Sequence, residues 1–367
     1  MEIKTYKIKD ICEASHGREI NTKYLRENQG IYPVYSSATS NEGEMGRIKT
    51  YDFDGEYVTW TTRWSYAGSI YYRNGKFSAS SNCGILKVLN KEINPKFLAY
   101  ALKKEAKKFV NTTSAIPILR TQKVVEIPID FPPLQIQEKI ATILDTFAEL
   151  SAELSAELRE RKKQYAFYRD YLLNLKNWKE ENKYYKLGEI AQKVLVGGEK
   201  PADFSKEKNE VYKYPILSNS SKAEEFLVYS KTFRVEEKSI TVSARGTIGA
   251  VFYRDFAYLP AVSLICFVPK EEFDIRFLFH ALRAIKFKKQ GSATGQLTVA
   301  QFKEYGIHVP SLKKQKEIAA ILDPLYSFFT DLNEGIPAEI ELRKKQLDYY
   351  QNFLFNWVQN QKAASIL

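Results

Sequence analysis

Polar side chains gather at three pairs of loops in this chain. Thr61, Thr62, Arg63 and Trp64 follow the strand-like run from Tyr57, while Ser243, Arg245 and Thr247 follow its counterpart from Ser239. Arg120, Thr121 and Gln122 are matched by Gln296, Thr298 and Gln301. Ser36 and Ser37, then Ser218 and Asn219, come after Tyr-Pro turns. Arginine, asparagine and glutamine carry the paired donors and acceptors that fit base edges in a DNA groove. Serine, threonine, arginine and lysine bond phosphate oxygens. Each has a plainer use: Arg63 and Arg245 suit a structural carboxylate partner, and Gly246 and Gly249 suit a turn. Trp60 and Trp64 suit core packing ahead of base stacking.

Signals for catalysis are missing. The chain has no G-x-x-x-x-G-K-[ST] phosphate loop, no Gly-x-Gly-x-x-Gly and no H-E-x-x-H. His16, His280 and His308 are isolated, and Phe131-Pro132-Pro133 lacks the polar residue of an aminomethyltransferase box. Cys12, Cys83 and Cys266 are too few and too scattered for a disulfide framework or a zinc site, and read as buried thiols. We therefore expect a non-catalytic chain that holds no metal and no cofactor. The N-terminus lacks an apolar signal region, and no apolar run is long enough to span a bilayer, so a cytoplasmic location is expected. The net charge of +11 points to a polyanionic partner.

The elements that position these loops occur twice. Pro132–Asp145 (PPLQIQEKIATILD) recurs as Pro310–Asp323 (PSLKKQKEIAAILD), 178 residues on. RKKQYAFYRDYLL from Arg161 recurs as RKKQLDYYQNFLF from Arg343, 182 residues on. Weaker matches precede them, such as Tyr32-Pro-Val-Tyr with Tyr214-Pro-Ile-Leu. The layout is body, tail, body, tail: 1–131, 132–176, 184–309 and 310–360.

The bodies are rich in β-branched and aromatic runs bounded by turn residues, with helices at Pro95–Phe109 and Ile275–Lys289. Each reads as a mixed α/β domain with a mainly antiparallel or irregular sheet. The tails are helical. Leu134–Leu175 has no Gly or Pro, and apolar residues recur at three-four spacing through Ile140, Leu144, Leu154, Leu158, Tyr165 and Leu172. Tail two repeats the stripe from Ile318 through Leu332 to Trp357, with a kink or break expected at Gly335–Pro337. Two such stripes predict an antiparallel coiled coil and an α+β fold with a pseudo-two-fold repeat. Lys162-Lys163 and Lys344-Lys345 either meet a partner or form a solvated face.

This order of motifs, in duplicate across the whole chain, resembles the specificity subunits of type I restriction-modification systems. The match is carried by Pro132-Pro133-Leu134, Gln137, Ile140, Leu144-Asp145 and their second copies. Arg245-Gly-Thr-Ile-Gly and Gly291-Ser-Ala-Thr-Gly-Gln-Leu-Thr add to it, while Arg63-Trp-Ser-Tyr-Ala-Gly and Thr113-Ser-Ala-Ile-Pro-Ile-Leu match more loosely. The resemblance implies two target-recognition domains, each reading one half of a split, asymmetric site in double-stranded DNA. It implies helices that set the spacing; the tetrapeptides ending at Leu150, Leu154 and Leu158 resemble the family's spacer repeats. It also implies two docked methyltransferase subunits carrying S-adenosylmethionine, and restriction/translocase subunits joined through them. Ile143, Phe167 and Phe328 are the candidate partner contacts. The competing readings are a scaffold that pairs protein partners without reading DNA, and a nuclease or transferase for which no carboxylate cluster stands out.

Overall fold

The computed structural model describes residues 1–37, 40–113, 115–174, 178, 181–219, 228–288, 295–331 and 335–364. The chain forms two compact units. Unit 1 joins Met1–Leu154 to Ile340–Leu367, and unit 2 is Ser155–Glu339. Five helices of ten or more residues are described: α1 (Pro95–Glu105), α2 (Leu134–Leu172), α3 (Ile275–Ala284), α4 (Leu312–Thr330) and α5 (Ile336–Ala364).

The β topology is the same in both units. In unit 1 an antiparallel sheet runs in the order Cys12–His16, Cys83–Val88, Glu56–Thr61, Ile70–Asn74. A second sheet has Gln29–Tyr35 between antiparallel Glu44–Ile48 and parallel Ser78–Ala79. Lys4–Lys7 pairs with Pro128–Phe131, closing the body on itself. In unit 2 the corresponding order is Ala191–Val196, Leu264–Pro269, Ser239–Ser243, Val251–Arg254. Tyr214–Leu217 sits between Tyr229–Ser230 and Leu259–Pro260, and Lys183–Lys186 pairs with Gly306–Val309.

The four-stranded sheet of unit 1 is covered on both faces. Val58, Trp60 and Leu86 face the helical side with Phe97 and Leu102 of α1. Tyr57, Cys83 and Ile85 face the smaller sheet with Phe77 and Ala79. Burial raises the thiols of Cys12 to about 12 and of Cys83 and Cys266 to about 11, so all three are inert thiols as expected.

Each unit takes its helical layer from two different tails. In unit 1, Ile140 and Leu144 of α2 share a core with Phe355 and Val358 of α5, and Phe147 stacks on Tyr350 at 4.8 Å. In unit 2, Tyr165 of α2 lies among Ile318, Leu322 and Phe329 of α4. Tail two is two helices: α4 ends at Thr330, and α5 starts after Gly335 with Pro337 in its first turn, where a missing N–H is tolerated. Pro324 lies inside α4 and does not end it. Helix α3 stops at Ala284, short of the expected end; Lys289, Leu175, Leu332, Ser114 and the Gly291–Thr294 motif lie outside the described residues.

The repeated residues make repeated joints. Gln137 is buried, donates Nε2–H to Pro132 O (2.8 Å) and Glu92 O (3.0 Å), and accepts from Asn94 N–H (2.9 Å). Gln315 donates to Pro310 O (2.9 Å) and accepts from Asp274 N–H (2.9 Å). Asn94 and Asp274 in turn cap α1 and α3. Asp145 accepts from Lys96 (2.6 Å) and Tyr100 (2.9 Å), while Asp323 pairs with Arg276 (2.6 Å) and His280 Nε2 (2.8 Å).

Burial holds the pKa of His280 below the ordinary histidine value against the pull of Asp323. The neutral ring then donates from Nε2 to Asp323 and accepts at Nδ1 from the Tyr165 hydroxyl (2.8 Å). A histidine depressed on folding binds its proton more readily in the unfolded chain, so stability falls as pH drops below the unfolded value of about 6.5. The lowered pKa of Asp323 adds a further loss at more acid pH. Calorimetry between pH 7.5 and 5.5 should show a falling midpoint, with part of the slope removed in His280→Gln. His16, also shifted down by desolvation, should supply another part. An unaltered slope in the variant would remove His280 as its source.

Candidate nucleic-acid interface

The same backbone joint presents the candidate loops in both units. Where Glu56–Thr61 ends, Gly68 N–H returns to Thr61 O (2.9 Å), and the Leu119 N–H donates to Thr62 O (2.8 Å). Where Ser239–Ser243 ends, Gly249 N–H returns to Ser243 O (2.9 Å), and Leu297 N–H donates to Ala244 O (2.8 Å). Two loops far apart in sequence are thereby stitched side by side in each body. Unit 1 gains a shallow open cleft lined by His16, Asn82, Arg63, Arg120, Thr121 and Gln122. His16 lies 2.5 Å from the Thr121 hydroxyl and edge-on to Trp60. As an isolated histidine it gave no sign of this place.

Burial revises the roster. Thr61, Thr62 and Ser243 are buried at strand ends, and of the three Thr62 also lines the cleft. The sheet is covered on both faces, so these residues belong to the interior rather than to the loops. Thr298 and Gln301 form a capping box on the short helix Val299–Glu304. Ser36 accepts from Ser80 (2.8 Å), with Ser37 half-buried beside it. Asn219 accepts from Ala244 N–H (3.1 Å), which places it as a brace of the second loop. Trp60 is in the core and donates to Leu119 O (3.2 Å), as core packing required.

Arg63, Trp64, Arg120, Gln122, Ser218, Arg245, Thr247 and Gln296 remain exposed. Arg63 and Arg245 have no carboxylate partner among the described residues, so the plainer reading of both falls away. Trp64 departs most from expectation. Its indole is 51% exposed and its backbone is left-handed at φ 76°, where Gly246 (φ 69°) stands in the second loop. That region costs a bulky L-residue about 1–3 kcal/mol.

Sequence reasoning also passed over a basic run on the last turn of α1 and beyond. Lys103 and Lys107 are exposed, and they line one depression with Gly68, Ser69 and Tyr71. Lys108 is held by Glu105 at 2.7 Å. On the helices, Ile143, Phe167 and Phe328 are 42%, 65% and 50% exposed, as partner contacts require. Lys162, Lys163, Lys344 and Lys345 lie on solvated faces.

A duplicated α/β module with paired, arginine-bearing loops at a repeated joint defines a DNA-site selector. The model of the type I restriction modification DNA specificity domain matches residues 1–161 and again 179–342, and the chain belongs to that family. Its role is DNA sequence specificity, which is not itself catalytic. A type I specificity subunit of Mycoplasma pneumoniae (strain ATCC 29342 / M129) is 96% identical over 335 residues, covering 88% of this chain and 100% of that protein. A second from the same organism is 66% identical over 364 residues, covering 99% and 100%. The crystal structure of a type I restriction-modification S subunit from M. genitalium shares the fold with TM-score 0.62, 17% identity and coverage of 97% and 96%. Another chain, from work on assembly and conformational transition of the type I R-M system, gives TM-score 0.56, 13% identity and coverage of 96% and 97%.

Proposed function

We propose that each module reads one half of a two-part, asymmetric site in double-stranded DNA and that the long helices set the spacing. In this reading the outer helix faces dock two methyltransferase subunits, which carry S-adenosylmethionine and methylate adenine. Restriction/translocase subunits join through them, and the complex works in the cytoplasm. Among the described residues no helix is long and apolar enough to cross a membrane. The domain layout 1–131, 132–176, 184–309 and 310–360 describes the functional segments. The carrying observation is an identical joint with different exposed side chains: Arg63-Trp64 in one module, Arg245-Gly246 in the other. Two readers of one build but different surface call for two different half-sites. A scaffold that ignores DNA would have no use for exposed arginines that, among the described residues, meet no carboxylate at matched loops.

Co-expression with the methyltransferase encoded beside it, followed by single-molecule mapping of methylated adenine, tests this. A split, asymmetric motif that disappears when the chain is omitted is the expected result. Methylation unchanged without it, or absent from a stable complex, would favour the scaffold.

Deleting Ser155–Leu158 tests the spacing. Leu158 packs against the core of unit 2, and the deletion brings the identical tetrapeptide ending at Leu154 into its place. The helix shortens by about 6 Å and its far end turns by about 40°. Both half-sites should persist with a spacer shorter by about one to two base pairs. Altered half-site bases with the old spacer would exclude a ruler.

The lysines provide a separate check. Substitution of glutamine at Lys103 and Lys107 should weaken binding alike for cognate and random duplexes. The slope of log K against log salt should become shallower by about two. An unchanged slope would place both side chains off the DNA path.

A further inference from the structure

We propose that Trp64 is a stacking wedge that the first module drives against a base step of its half-site, and that the second module has none. This rests on the reading of the modules as DNA binders. The indole is 51% exposed and neighbours Tyr66, which is 53% exposed. The backbone beneath is held at four points: Trp64 N–H to Pro117 O (3.0 Å), Ala67 N–H to Trp64 O (2.9 Å), Gly68 N–H to Thr61 O (2.9 Å), and Ser69 N–H to Tyr66 O (3.0 Å). The side chain thus projects from a fixed turn.

Neither folding nor solubility accounts for the residue. At φ 76° glycine is the better fit, and the second loop has Gly246 at the same third position after its strand. A half-exposed indole also adds little to a core. What Trp64 offers is a large flat apolar face next in the chain to Arg63, which itself lines the cleft with Arg120 and Gln122. The Arg63 backbone bridges Ile118, two residues before Arg120. An exposed aromatic face on the loop that carries Arg63 suits a partly unstacked base step with its phosphates. Specificity at that half-site would include how readily the step opens, a property read without base-edge hydrogen bonds. The second module, with Arg245, Gly246 and Thr247 on a loop one residue shorter (Ser243 to Gly249 against Thr61 to Gly68), is left with edge and phosphate contacts.

The test uses the complex with its methyltransferase subunits and duplexes bearing 2-aminopurine at successive positions of the mapped motif. Apart from the methylated adenines, which the methyltransferase subunits flip out in either half-site, wild type should raise the fluorescence at one step of the first half-site and nowhere in the second. Trp64→Gly should abolish that rise and weaken binding about tenfold or more. The unfolding midpoint of the variant should equal or exceed that of wild type. Trp64→Phe should restore most of both signals. Binding by Trp64→Gly within twofold of wild type, with the motif intact, would overturn the wedge and leave the two-module reading standing. Loss of the methyltransferase subunits from Trp64→Gly would overturn it too, making Trp64 a protein contact. A wild-type complex that methylates no split motif would remove both readings.

Discussion

Gln137→Leu is expected to destabilise the protein by about 2–4 kcal/mol. Leucine fills nearly the same volume, so the loss isolates the hydrogen bonds. The substitution strips a partner from Asn94 N–H, Glu92 O and Pro132 O, which face a side chain that is 1% exposed. The damage spreads through the joint, because Asn94 also caps α1 with its side chain at 2.9 Å from Phe97 N. Gln137→Glu should be as harmful for the opposite reason: it keeps an acceptor for Asn94 and turns a carboxylate toward two carbonyls. Denaturant unfolding of the full chain checks both, and Gln315→Leu should repeat the effect in unit 2. A loss under about 0.5 kcal/mol in both leucine variants would mean that water replaces the amide, and the joint would not explain why glutamine occurs twice.

That joint also explains how much could be read from the sequence. Pro132, Gln137 and Asp145 stand out beside Pro310, Gln315 and Asp323 because each pair performs one geometric task, and geometry repeated in space repeats in sequence. The bodies look divergent because their tasks tolerate exchange. Tyr100 reaches Asp145 as His280 reaches its counterpart Asp323, and Lys96 and Arg276 pair with the same two aspartates in turn, yet at neither position is the residue the same. Loop residues were harder to place. Thr61, Thr62 and Ser243 sit where a strand hands over to a loop, and a sheet buried on both faces hides the alternation that would have marked them as interior. The sharing of tails was invisible for another reason. An apolar stripe states that a helix is covered on one side, and nothing in its spacing names the body that covers it; that Phe355 enters the core of unit 1 with Phe97 is a long-range fact.

Aspartate at Phe167 should leave the chain able to hold one methyltransferase subunit, and aspartate at both Phe167 and Tyr349 should leave it able to hold none. The argument lies in what is repeated on the outer helix faces. Phe167 and Tyr171 stack with ring planes 14° apart and centroids at 6.3 Å; Tyr349 and Phe353, each 182 residues on, do so at 13° and 6.2 Å. All four are more than half exposed, and Tyr168 and Tyr350 recur beside them. Aromatic pairs on a helix exterior add nothing to either core, and aromatics of this kind dominate the energetics of protein contacts. Because the patch occurs once in each unit, it fits two copies of one partner rather than two different partners. A buried carboxylate in a contact of that type lowers affinity by about 30-fold or more, while the helix loses no internal packing. Native mass spectrometry of co-expressed complexes reads the stoichiometry directly, and circular dichroism shows whether the variants stay folded. Two subunits retained on a folded double variant would move the docking surface elsewhere, with Ile143 and Phe328 as the next residues to change.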